Sequence, residues 1–150
     1  MSLQNLLRIG QLKEHPADAE EIGHLLAAAQ RSLTDARATT ISPETRFDAA
    51  YRAVTQVALA ALMAHGFRPD TNRPGHHVTL IQALPLTLGL DAKRVTVLDT
   101  LRRKRNLADY TGAAIDEGSV DACIVEAQRL LDDCHAWLAT HRPQFMPQRR

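Results

Sequence analysis

The stretch LRRKRNLADYTG, residues 101–112, gathers the side chains of this sequence best suited to chemistry. Arg102, Arg103, Lys104 and Arg105 are consecutive cations, followed by Asn106, Asp109 and Tyr110. On a helix, residues three and four apart share a face. Leu98, Leu101, Arg105 and Ala108 therefore align, and Arg105 takes a slot that packing alone gives to Leu. Asp109 follows at the spacing of a helical ion pair with Arg105. Arg102 and Asn106 flank the same edge, whereas Arg103 and Lys104 point elsewhere. The expected site is thus Arg102, Arg105, Asn106 and Asp109, converging where core meets solvent. A guanidinium there offers forked donors to phosphate oxygens, and a nearby amide can order a ribose or a water. The plainer reading is a structural Arg105–Asp109 pair that fastens neighbouring helices, with Arg103 and Lys104 solvated.

Such a site needs a rigid frame, and the composition favours helices. The 150 residues fit one domain able to bury a core without metals or disulfides. Aromatic residues are only 4%, so Ala and Leu carry the packing, and both enter helices at little entropic cost. The net charge of +1 excludes a global pull on polyanions, so any nucleic-acid contact has to be local. Pro16 suits a first helical turn ahead of Ile22, Leu25, Leu26, Ala29 and Leu33 at helical spacing. Ser42 and Pro43 open a second long helix that Gly66 stops. A shorter helix from His76 is damaged near Pro85, Asp91 caps a helix over 92–110, and Ser119 caps a last one to about residue 141. No segment shows strand alternation. The expected fold is all-α, an antiparallel up-down bundle of about five helices plus a short N-terminal helix. Residues 1–142 form its single domain, and 143–150 a flexible tail marked by Pro143 and Pro147.

Cys123 and Cys134 fall on one predicted helix about 16 Å apart, too far for a disulfide. Buried, reduced thiols suit a cytoplasmic protein. No run reaches the roughly 18 apolar residues of a membrane span, so no membrane partner is expected. His76 and His77 are adjacent and diverge on a helix, so they cannot readily chelate one metal together. Either could meet His65 across a hairpin in a metal or proton-transfer site, against the plainer reading of surface or capping histidines. His135 and His141 suit the negative end of the last helix. No Gly-rich phosphate loop, cysteine cluster or nucleophile elbow occurs, and neither cofactor nor metal is expected.

The segments AYRAVTQVALAALMAHGFRP, GHHVTLIQAL and LDTLRRKRNLADYTG, in that order and spacing, resemble the HEPN family over roughly residues 20–140. HEPN proteins are small helical bundles, often dimeric, of prokaryotic toxin–antitoxin and defence systems. Many are metal-independent endoribonucleases. The resemblance implies a cytoplasmic homodimer, RNA or a nucleotide as ligand, and an antitoxin or nucleotidyltransferase-like partner. The family's ribonucleases carry Arg, then four to six residues of which the first is often polar, then His. Arg105 and Asn106 match the start of that motif, and Tyr110 stands where the nearest His is expected. The catalytic set implied is Arg105, Asn106 and Tyr110, and the phosphate-binding set is Arg102, Arg105, Asn106 and His77. Tyr, with a pKa near 10, is a poor base at neutral pH. The expected function is therefore a nucleic-acid- or nucleotide-associated module that lacks standard HEPN ribonuclease chemistry. Its alternatives are a non-catalytic helical scaffold and a ribonuclease using Arg105 with a different base.

Overall fold

The structure, a computed structural model, describes residues 1–146. It is an all-α helical bundle with one small two-stranded antiparallel pairing added. In chain order the elements are α1 (Leu3–Arg8), β1 (Leu12–Glu14), α2 (Ala19–Ala36), α3 (Pro43–Ala64), β2 (Phe67–Pro69), α4 (His76–Gln82), α5 (Leu84–Thr87), α6 (Ala92–Thr111) and α7 (Glu117–His141), followed by a 3-10 turn at Pro143–Phe145. None of the described helices is long and apolar enough to cross a membrane.

Helix α3 is the axis of the bundle. Ser42 caps it by accepting from the Thr45 N–H, Pro43 occupies its first turn, and Gly66, at φ +88°, turns the chain away after His65. Ala50, Ala53, Val57, Ala58, Ala60 and Ala61 are all buried, so small side chains line much of the buried side of α3. That lets α2 and α7 pack closely against it, as the short 37–42 connection also requires of α2. Ile22, Leu26 and Leu33 of α2 and Val120, Leu131 and Leu138 of α7 fill the core from the two sides. Each such side chain contributes about 1.5–3 kcal/mol of burial. Cys123 and Cys134 are buried free thiols, as expected, with both pKa values pushed up to about 12 chiefly by burial.

The structure departs from the sequence reading in four places. Helix α2 begins at Ala19, not Pro16, because Asp18 accepts hydrogen bonds from the Glu20 and Glu21 N–H groups. Helix α7 is capped by Asp116; Ser119 lies inside the first turn and donates its backbone N–H to that carboxylate. Strands exist: β1 and β2 pair antiparallel, Leu12 with Pro69 and Glu14 with Phe67. Three residues are too few to show alternation, and the partners are far apart in sequence. Finally, Phe145 and Met146 pack against the core and the 3-10 turn contacts α2, so this part of the expected tail is docked. The remainder, 147–150, lies outside the described residues.

Candidate functional site

The cations of α6 separate into three groups. Lys104 turns to α7, donating to Ser119 Oγ at 2.6 Å and lying 3.5 Å from Asp116. Hydrogen bonds from Ser119 hold the Asp116 carboxyl down at about 2. Arg102 and Arg103 fork around Asp99, one turn earlier, each with Nε 3.0 Å from a different carboxylate oxygen. Arg103 is largely exposed, whereas Arg102 is mostly buried. Arg105 alone leans across to α3.

There its guanidinium lies 5.4 Å from the centroid of the buried Tyr51 ring, and its Nε is 3.5 Å from Asp48 Oδ1. The first distance is that of a cation–π contact. The second is an ion pair too long for a good hydrogen bond. Arg105 Nε is buried without a hydrogen-bond partner, and no hydrogen bond satisfies the terminal nitrogens among the described residues. The side chain is one-third exposed, so the guanidinium sits in the α3–α6 seam with an edge facing out. The expected Arg105–Asp109 pair is not formed. Asp48, from the neighbouring helix, is the carboxylate that Arg105 meets, because α3 packs beside the face Arg105 occupies. Asp109 is exposed and acts instead on Asp48: burial first, then the Asp109 charge, raise the Asp48 pKa against the pull of Arg105 and Arg52.

A histidine joins this cluster from α4. The His77 ring lies tilted against that of His76, with centroids 4.4 Å apart. Its pKa is lowered by burial, then by His76, Arg105 and Arg102. Beside these arginines runs a groove of about 420 Å³ between α4 and α6, walled by Val78, Ile81, Val95, Thr96, Asp99 and Arg102. The charges of Arg105 and Arg102 thus reach His77, and Asn106 is half-buried on the same helix edge. Tyr110 is not drawn in; it is 89% exposed. His65 belongs to a different corner, where its Nε2 is 3.0 Å from the Thr87 carbonyl and its ring lies 4.6 Å from Trp137. Its pKa is lowered, chiefly by burial. No group of three metal-ligating side chains occurs among the described residues.

Comparison of the chain with protein-family models, curated proteins and solved structures finds no match. What the site can do rests on its geometry. It offers one arginine, Arg105, without a good acceptor, a second, Arg102, already paired with Asp99, and an imidazole favoured in its neutral form. The perturbed Asp48 lines a separate cavity with Thr45 and Arg52, while the groove itself takes its charge from Asp99, Arg102 and Arg103. The sequence reading missed Asp48, Tyr51 and Asp99 as members. Asp99 was legible at i,i+3 and i,i+4 from the two arginines, and Asp48 as an acid set between Phe47 and Ala49.

Tyr51 carries a separate consequence. Its hydroxyl is buried without a hydrogen-bond partner, and burial pushes its pKa up to about 12. Removing an unsatisfied buried hydroxyl while keeping the ring under Arg105 should stabilise the protein. Tyr51→Phe is expected to raise the unfolding free energy by about 1 kcal/mol in urea titrations. A fall of that size would show that the hydroxyl is satisfied after all, through a bound water.

Proposed function

We propose that the α3–α4–α6 seam recognises phosphate in RNA or a nucleotide, in a HEPN-like module of a toxin–antitoxin or defence-type system. The observation that carries the reading is Arg105: a guanidinium held by an aromatic ring and a loosely paired carboxylate, with its charge and that of Arg102 felt at His77. A phosphate oxygen would supply the acceptor that Asp48 does not supply well, through charge-assisted hydrogen bonds. Local charge limits the affinity. Arg52, Arg102, Arg103 and Arg105 are opposed by Asp48, Asp99 and Asp109, so the site suits a few phosphates, not a long backbone track. Leu107 and Tyr110, both exposed and one helical turn apart on α6, offer an apolar rim for the second copy of a cytoplasmic homodimer. An antitoxin or nucleotidyltransferase-like partner fits the same context.

A second reading is metal-independent RNA cleavage, favoured by His77. Its lowered pKa leaves the imidazole neutral at pH 7 and able to accept a proton. It would take the proton of a ribose 2′-hydroxyl as that oxygen attacks phosphorus. The 5′-oxygen then leaves with a proton from solvent, and a 2′,3′-cyclic phosphate results. Arg102 and Arg105 would hold the charge gathering on the phosphoryl oxygens. His77 thereby replaces Tyr110 in the catalytic set.

One titration tests both readings. A single-stranded RNA oligomer should bind more weakly as salt rises. In the complex the His77 pKa should move upward, because a phosphate anion favours imidazolium and opposes the push from the arginines. Metal-free cleavage that His77→Ala stops and Tyr110→Phe leaves intact would establish the second reading. No association at low salt, with His77 unmoved, would leave the scaffold in which these charges only fasten helices.

A further inference from the structure

A different cavity, of about 340 Å³, lies between the first turn of α2, the C-terminal part of α3, strand β2 and helix α4. Its apolar wall is Leu59 and Met63 of α3 with Leu80 of α4. Its size is at the lower end of small-molecule sites, which are mostly apolar with a few placed polar groups. The polar groups here are unequal in occupation. Glu21 is already engaged, with both carboxylate oxygens 3.1 Å from His15 Nε2. Arg68 is not. It sits on β2 opposite Lys13, and Lys13 takes the nearby acid, Asp70, at 3.8 Å. Arg68 makes no ion pair or side-chain hydrogen bond among the described residues, although it lines an apolar cavity. His76 of α4 also lines the cavity.

We infer that this cavity binds a small organic carboxylate with an apolar tail. The tail lies on Leu59, Met63 and Leu80, and the carboxylate is held by the Arg68 guanidinium. A carboxylate matches the guanidinium fork and a hydroxyl does not, so charge sets the head group while the cavity limits tail size. The one acid in the wall is turned to His15, so the Arg68 donors are left for a ligand. This inference does not depend on the phosphate reading, since it uses none of the same side chains.

The probe is octanoate below its micelle concentration, titrated into the full chain by calorimetry and by the Met63 methyl and His76 ring resonances. Octanol supplies the same tail without charge, and acetate the charge without tail. Octanoate should bind saturably and perturb both reporters. Octanol should bind about tenfold more weakly or worse, as loss of a charge-assisted hydrogen bond implies. Acetate should not bind. Arg68→Gln, on a partly exposed strand position, should bring octanoate down to the affinity of octanol. Leu59→Trp, which fills the cavity, should remove both. Equal binding of octanoate and octanol to the native chain, or octanoate affinity untouched by either substitution, would overturn the inference.

Discussion

Replacing Arg46 with Ala is expected to lower the unfolding free energy by about 2–3 kcal/mol. This guanidinium is 9% exposed and joins three helices. Its Nε donates to the Ala36 carbonyl at the end of α2 at 2.8 Å, and its Nη1 to Glu117 at the start of α7 at 3.0 Å. Ala36 is fully buried, so truncation leaves a carbonyl at the C-terminal end of α2 without donor or water. The Glu117 half matters less. Its side chain is 66% exposed, water screens the pair, and Glu117→Gln should move stability by less than about 1 kcal/mol. Urea unfolding checks both, with the slope unchanged so that the midpoint reports stability. A loss for Arg46→Ala no larger than for Glu117→Gln would show that the α2 carbonyl finds another donor.

Arg105→Ala should give the opposite pattern. Association with RNA is expected to fall about tenfold or more, since at least one hydrogen bond to a charged oxygen goes. Stability should change by about 1 kcal/mol or less after allowing for solvent screening. Arg105 is one-third exposed and Asp48 nearly half, at 47%, so removing the guanidinium strands no buried charge. The scaffold reading, built on Arg105 as a fastener, predicts lost stability with association unchanged. Filter binding and urea unfolding on the same preparation decide between them. Arg46 and Arg105 differ in burial and partners, not in residue type, and that difference sets the two expectations apart.

Much of the frame was legible because its causes are local. Ser42 before Pro43, Asp91 ahead of α6, and glycines at 66 and 112 with positive φ are start and stop chemistry that acts within one turn. Helical spacing likewise placed Arg105 at the core–solvent border, and it is there. Partner choice was not local. Asp109 lies at ideal helical spacing, yet Arg105 goes to Asp48 because α3 packs against that face and brings both Tyr51 and a carboxylate. The β1–β2 pairing was invisible for a similar reason: three-residue strands carry no periodic signal, and their register follows from how α3 returns the chain to the N-terminal segment.

By itself the sequence determined an all-α bundle, its main helix boundaries, two buried thiols and a guanidinium on an otherwise apolar face. Propensity, capping and periodicity are properties of neighbours in the chain, and they need no knowledge of packing. Only the tertiary structure decided that Arg105 meets Asp48 and not Asp109, that Arg46 binds three helices together, and that Arg68 is left facing an apolar cavity. Those are meetings between separate elements, set by which faces the core brings into contact.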